Sequence, residues 1–130
     1  MPDNEKLTIN LSVVDLGHID LLVEEGFYSN RSDFIRAAIR AQLNLHQEAL
    51  KQATLRKSMV VGVLIYSRSD LEKYLAANEK VAIRVIGLVK LADDIPTELA
   101  AHTIDSIIVH GVLRCSSEVR KALSGRISES

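Results

Sequence analysis

The sequence predicts an α/β protein in two parts: an N-terminal strand-helix-helix module that pairs with a second copy, and a C-terminal solenoid-like parallel domain of three strand-helix repeats. Two observations predict this architecture. Residues 6–11 alternate polar and apolar side chains and are followed by two amphipathic helical patterns. Further along the chain, Gly62, Gly87 and Gly111 lie 25 and 24 residues apart in similar apolar segments, which indicates an internal repeat.

The alternating segment at residues 6–11 predicts a strand with one polar and one apolar face. Six residues cannot form a stable sheet alone, and no second strand candidate precedes Met59. The simplest partner is the same strand of another copy, which gives an antiparallel two-stranded ribbon in a dimer. Such a ribbon fits the major groove of DNA, where Lys, Thr and Asn side chains can read base edges. The apolar face holds Leu7, Ile9 and Leu11, and the polar face holds Lys6, Thr8 and Asn10.

Two helix start signals follow this strand. Ser12 with Asp15 three residues later predicts the beginning of a first helix, which we expect to end at Gly26. Asn30 with Asp33 repeats the signal and predicts a second helix. The unpaired amides at the start of the second helix suit a phosphate group. The apolar face of that helix is predicted to hold Phe34, Ile35, Ala38, Ile39 and Leu43.

In this order, the segments KLTINLS and EEGFYSNRSDFIRAAIRAQL resemble the ribbon-helix-helix family of bacterial regulators, over residues 6–43. The resemblance implies an intertwined dimer that binds double-stranded DNA, with the outward ribbon residues on bases and the start of the second helix on the backbone. By position, it places Lys6, Thr8 and Asn10 on bases and Asn30, Arg31 and Ser32 on phosphates. The implied dimer core is Leu7, Ile9, Leu11, Phe34, Ile35 and Ile39. The alternative is that the polar edge of the ribbon is only solvated and recognises no DNA bases.

The charge balance is unusual for a DNA-binding protein, because the net charge is −1 and the pI is near 6.4. The charges are segregated, however, with acidic residues on the first predicted helix and Arg31, Arg36 and Arg40 on the second. This segregation indicates that base-specific contacts and a multimer matter more than bulk electrostatic attraction. No apolar run is long enough for a membrane span, and a single cysteine, Cys115, agrees with a reducing compartment, so we expect a cytoplasmic protein.

The three glycine-centred segments each read as a strand, a polar turn and a short helix. Val60, Val85 and Val109 begin equivalent strand faces that also carry the glycines, and these faces are predicted to form the core. The helix positions predicted to close that core are Leu71 and Leu75, Ile95 and Leu99, and Val119 and Leu123. The predicted divisions are 1–43 for the DNA-binding domain, with residues 1–5 as a mobile arm, 44–57 for a helical connector, 58–125 for the repeats and 126–130 for a loose tail.

The opposite face of these strands is also apolar, and a parallel sheet with two apolar faces needs both covered. The helices of one chain cover only one face. We therefore expect the second face to join subunits into a tetramer or larger assembly, although the connector helix of the same chain is an alternative cover. This predicted assembly face consists of Val61, Val63, Ile86, Leu88 and Val112.

The sequence gives little support for metal binding, for a phosphate-binding loop or for catalysis. His102, His110 and Cys115 invite comparison with nickel-responsive ribbon-helix-helix repressors, but the spacing differs, and His110 and Cys115 are predicted to lie on opposite strand faces. Each glycine of the repeat lies inside a strand, so the set is no phosphate loop. We expect no metal, no cofactor and no enzymatic activity.

The function predicted from these features is sequence-specific DNA binding by a transcriptional repressor or autoregulator that occludes promoters as a multimer of dimers. Two alternatives stay open. One is a plasmid or chromosome partition factor, or nucleoid-type factor, arrayed on DNA repeats. The other is an antitoxin or interaction protein whose C-terminal half binds a partner protein.

Overall fold

The computed structural model describes residues 4–130, so the first three residues of the predicted arm lie outside the described part of the chain. The described residues divide into two compact units. The N-terminal unit is Asn4–Ala53, and the C-terminal unit is Thr54–Ser130. None of the described helices is both long and apolar enough to cross a membrane.

The N-terminal unit consists of an extended segment, residues 4–12, and the helices α1 (Val13–Glu24) and α2 (Arg31–Leu45). Both predicted N-caps are confirmed. The Ser12 hydroxyl accepts a hydrogen bond from the Asp15 amide at 3.1 Å, and the Asn30 side chain accepts from the Asp33 amide at 2.8 Å. Helix α1 ends just before Gly26, whose φ of +87° turns the chain, as predicted.

The predicted ribbon strand is not formed within the single chain. Residues 6–11 are neither helix nor strand in the structure, because a strand is defined by hydrogen bonds to a neighbour and this segment pairs with no other part of the described chain. The strand therefore stays a prediction about the dimer.

The connector is a separate helix, α3 (Gln47–Arg56), which begins after a break at His46. Its apolar side chains are mostly exposed. The division between the two compact units falls within α3, after Ala53, so the last residues of this helix group with the C-terminal unit.

The C-terminal unit alternates strands with short helices along the chain. The strands lie side by side in the order in which they occur, and every pair is parallel. Each helix therefore connects one strand to its immediate neighbour. In chain order the elements are β1 (Val60–Tyr66), α4 (Arg68–Ala76), β2 (Val81–Leu91), α5 (Thr97–Thr103), β3 (Ile104–Arg114), α6 (Ser117–Ala122) and β4 (Ile127–Glu129).

The three spaced glycines lie opposite one another in the sheet, Gly62 beside Gly87 and Gly87 beside Gly111. All three have positive φ, between +129° and +141°. A Cβ atom at Gly87 would lie 2.1 Å from the carbonyl oxygen of Gly62, and one at Gly111 would lie 2.1 Å from that of Gly87. Only glycine permits this approach of adjacent backbones, which explains the residue type at positions 87 and 111.

The core lies between one face of the sheet and the helices α4, α5 and α6. The predicted strand face supplies it, with Val85, Val89 and Val109 fully buried, but the prediction is wrong for Val60 on the edge strand β1, which is 52% exposed. One of the six predicted helix positions is wrong, because Leu75 is exposed and lines an open groove between α4 and α5. The buried helix-side residues are Leu71, Ile95, Leu99, Ala100, Val119 and Leu123.

The predicted loose tail at 126–130 is wrong, because β4 pairs with β3 and places Ile127 beside Ile107. The free edge of β3 offers unpaired backbone groups, and three residues suffice to occupy them. The Glu129 carboxylate accepts hydrogen bonds from the Leu113 amide and the Arg120 guanidinium, each at 3.0 Å. The hydrogen bond from the Leu113 amide, and to a smaller extent the one from Arg120, lowers the pKa of Glu129 below its usual value and so favours the charged carboxylate.

Candidate nucleic-acid interface

The polar side chains predicted to read bases, Lys6, Thr8 and Asn10, are exposed on the extended segment of residues 4–12. Their apolar neighbours are exposed as well, with 80% of Leu7 and 56% of Ile9 accessible to solvent. A segment with both faces open has no reason to keep this conformation in an isolated chain. A partner that covers the apolar face would leave the polar face outward.

The N-terminal unit has almost no core of its own. Ile19 is the one buried apolar side chain among residues 4–53. Phe34 and Ile35 on α2 are half-buried, and Ile39 is exposed. About fifty residues with so little buried apolar surface are not expected to fold alone. Four of the six predicted dimer-core residues, Leu7, Ile9, Leu11 and Ile39, are thus exposed in the single chain, as are other apolar side chains of this unit such as Val13 and Phe27.

At the start of α2, two backbone amides have no hydrogen-bond acceptor within the helix. The Asn30 side chain binds the Asp33 amide and the Asn30 carbonyl binds the Phe34 amide, which leaves the amides of Arg31 and Ser32 without an intrahelical acceptor. The Asp33 carboxylate accepts a hydrogen bond from the Ser29 amide at 3.0 Å and orders the preceding turn. This turn also packs internally, because Tyr28 and Phe34 form an edge-to-face ring contact with centroids 5.0 Å apart.

Arg31 is not a free cation in this chain. Its guanidinium makes a bidentate ion pair with Asp20 of α1, with Nε–Oδ1 at 2.7 Å and Nη2–Oδ2 at 2.8 Å. The hydrogen bonds from Arg31 lower the pKa of Asp20, and those to Asp20 raise the pKa of Arg31. The sequence does not predict this pair, since residues eleven apart on different helices give no local signal. A phosphate at Arg31 would have to compete with the Asp20 carboxylate.

Substitutions at the two members of this pair should change DNA affinity in opposite directions. We expect Arg31→Ala to weaken binding to all sequences alike and to reduce the slope of log K against log salt by about one for each phosphate that the guanidinium neutralises. Asp20→Asn should strengthen binding to all sequences, because the neutral amide competes less well for the guanidinium. Fluorescence anisotropy over a salt series measures both. If Asp20→Asn weakens binding as Arg31→Ala does, the pair only holds α1 to α2.

The predicted assembly face lies on the side of the sheet away from α4–α6. Val63, Leu88 and Val112 form one row across β1, β2 and β3, and Val61 and Ile86 form the next. Exposure differs greatly within the set, from 68% for Val61 to 8% for Leu88. Leu88 is thus already buried in the single chain, so the open apolar surface is centred on β1 and not on the middle strand.

The three residues compared with a metal site lie apart in the structure. The His102 ring bonds the Glu98 carbonyl of its own helix, and the His110 ring bonds the Ser130 hydroxyl at the far edge of the sheet. Cys115 is half-buried after β3, where burial raises the pKa of its thiol. Within residues 4–130, no three His, Cys, Asp or Glu side chains come together in a way that could hold a metal ion.

A sequence model of the ribbon-helix-helix transcriptional regulator family matches residues 2–120 of this chain. The match runs through the N-terminal unit and the first three strands of the sheet. It therefore extends well beyond the resemblance over residues 6–43 and includes most of the C-terminal half. No curated protein and no solved structure matches the chain.

Proposed function

Because the chain belongs to the ribbon-helix-helix transcriptional regulator family, we propose that it is a homodimeric repressor that recognises a specific double-stranded DNA sequence and occludes promoters, its own among them. The observation that carries the proposal is the N-terminal unit, which has exposed apolar side chains on residues 6–11 and almost no core. A second copy supplies the missing core. In this proposal the protein acts by binding in the cytoplasm and catalyses no reaction.

In this proposal, the polar face of the ribbon recognises the DNA bases. Pairing two copies of residues 6–11 as antiparallel strands places Leu7, Ile9 and Leu11 of both copies on one face and two sets of Lys6, Thr8 and Asn10 on the other. Two-fold related sets of donors and acceptors match a palindromic site. The open amides of Arg31 and Ser32 at the start of α2 supply backbone contacts that fix the register on the duplex.

The net charge of −1 explains why a dimer alone would bind weakly, since few counterions are released for so little positive charge. Joining dimers through the C-terminal unit would compensate. When one dimer occupies its site, the second dimer of the assembly binds a neighbouring site at a high effective concentration. Avidity across repeated sites then supplies affinity that bulk electrostatic attraction does not.

The surface proposed to join dimers is the assembly face defined above, and Val112 offers the cleanest test of it. Val112 is partly exposed at the side of the face away from β1, so Val112→Glu leaves the charge in solvent in the dimer and buries it in the assembly. Light scattering should show a fall from a tetramer or larger species to a dimer. Leu88→Glu is the less informative change, because a charge there would be buried within one chain. An unchanged mass with Val112→Glu would contradict the assembly role.

Asn10→Ala tests the proposed function directly. The change should cost about 1 to 3 kcal/mol of specific affinity and relax one base position per half-site, because an Asn side chain can pair bidentately with adenine. Selection of bound DNA from a random pool, for the wild-type chain and the variant in parallel, measures both effects. Wild-type selection that enriches no sequence would contradict a sequence-specific reader. Unchanged preference in the variant would remove Asn10 from the reading set.

The selected sites also separate repression from its alternatives. Sites that overlap the promoter of the gene itself fit an autoregulator, whereas arrays of sites away from promoters fit a partition or nucleoid factor. The exposed apolar surface on β1 leaves room for a protein partner, as an antitoxin requires. In that case the purified chain alone should stay dimeric at all concentrations.

A further inference from the structure

The two edges of the parallel sheet differ sharply. At one edge, β4 has only three residues, and its Glu129 is tied to β3 and α6 by hydrogen bonds to Leu113 and Arg120. At the other edge, β1 has seven residues, VVGVLIY, with no charge and no proline. Proteins usually protect sheet edges with charges, prolines, bulges or short strands. The edge at β4 has two of these devices, and the edge at β1 has none.

The backbone of β1 is open on its outer side. A Cβ atom at Gly62 would meet nothing within 4 Å, whereas the same atom at Gly87 or Gly111 would collide with the carbonyl of the preceding strand. Gly62 has the same φ as Gly87 within a few degrees, +141° against +139°. The backbone beside Gly62 is thus open, and no strand of the described chain occupies that side of β1. The side chains of Val61 and Ile65 beside it are 68% and 61% exposed.

We propose that β1 pairs antiparallel with β1 of the second copy in the same dimer, which joins the two C-terminal sheets into one continuous sheet. The inference rests on the dimer of the proposed function. Two tethered copies face each other at an effective concentration on the order of millimolar, which favours pairing of weak edges. Antiparallel pairing about a two-fold axis also closes the interface, so neither β1 edge is left to recruit further chains.

Charge and composition favour a second copy over an unrelated strand. A segment with no charged side chain has no repulsion against itself and no charge pattern that selects another partner. Residues 6–11 are the other extended segment of the described chain that belongs to no sheet, and the proposed ribbon of the dimer uses them. Pairing at β1 would place Val61, Val63 and Ile65 of both copies side by side at the centre of the joined sheet, where they enlarge the assembly face.

Disulfide trapping in the full chain tests the proposal. In a two-fold antiparallel pair, the residue on the axis lies opposite its own counterpart and residues on either side of it lie opposite each other, about 4.5 to 5.5 Å apart between Cα atoms, which a disulfide can span. The scan uses Val61→Cys, Val63→Cys and Ile65→Cys, alone and as equimolar mixtures of two variants, each with Cys115→Ser so that no other thiol is present. Ser128→Cys on β4 measures random collision, and Val112→Cys reports face-to-face contact between sheets.

We expect at least one of the β1 variants or mixtures to form a covalent dimer many-fold faster than Ser128→Cys, with the position reporting the register. Trapping at β1 that is lost when Val112→Glu is added would overturn the proposal in favour of stacked faces, because that change separates the assembly face. No trapping above the Ser128→Cys rate, with a dimeric or larger mass by light scattering, would overturn it while leaving the DNA-binding dimer intact. A monomeric mass for the unmodified chain would instead contradict the dimer itself, and with it both proposals.

Discussion

Gly87→Ala should cost the C-terminal unit roughly 3 kcal/mol or more of unfolding free energy, a large share of the total for a small domain. Two effects combine. The new Cβ would lie 2.1 Å from the Gly62 carbonyl oxygen, which is backbone in a paired strand and cannot swing away. A φ of +139° is also a conformation that non-glycine residues adopt at a cost on the order of 1 to 3 kcal/mol.

Gly125→Ala provides the matched control, because Gly125 also has positive φ, +86°, but a Cβ there would meet nothing within 4 Å. It should cost only about 1 to 2 kcal/mol. Urea unfolding followed by circular dichroism measures both variants, and Gly111→Ala should behave like Gly87→Ala, since its contact with the preceding carbonyl is equally short. A loss at Gly87 no larger than that at Gly125 would show that the strands relax apart, and that the close approach is not a requirement of the fold.

Ile9→Lys should abolish the dimer and reduce specific DNA affinity by more than about 100-fold. The two-fold symmetry of the ribbon would bury two unpaired ammonium groups, each costing about 3 to 5 kcal/mol. With Ile19 as the one buried apolar side chain among residues 4–53, the monomer has no core with which to absorb that loss. Combined with Val112→Glu, which separates the assembly face, the variant should be a monomer by light scattering, and circular dichroism should show the loss of α1 and α2 while the C-terminal unit stays folded.

Thr8→Lys is the matched control for this change, because it introduces the same side chain one residue away on the opposite face of the strand. It should leave the mass of the dimer unchanged and alter only DNA binding. If Thr8→Lys dissociates the dimer and Ile9→Lys does not, the ribbon has the opposite register. If both variants stay dimeric with a normal unfolding transition, the segment lies outside the dimer interface.

In the C-terminal sheet, the repeat pattern of the sequence predicted the strand register and most of the core face. Aligning the sequence on its three glycines predicted which residues lie side by side, and Gly62, Gly87 and Gly111 are paired in that register. Alternation along each strand then identified the core face, with Val85, Val89 and Val109 fully buried. Such signals are local and periodic, so a single sequence is enough to identify them. The β4 strand has three residues and no periodicity, and its pairing was missed.

The sequence by itself determined the order of elements from α1 to α6, both N-caps of the N-terminal helices, the turn at Gly26 and the family, because capping and amphipathic patterns depend on residues within a few positions of one another. Tertiary structure alone decided three further features: the ion pair that occupies Arg31, the burial of Leu88 and the contrast between the β1 and β4 edges. Each depends on which distant segments become neighbours. Packing between elements determines which segments become neighbours, and no short-range pattern of residue types predicts that packing.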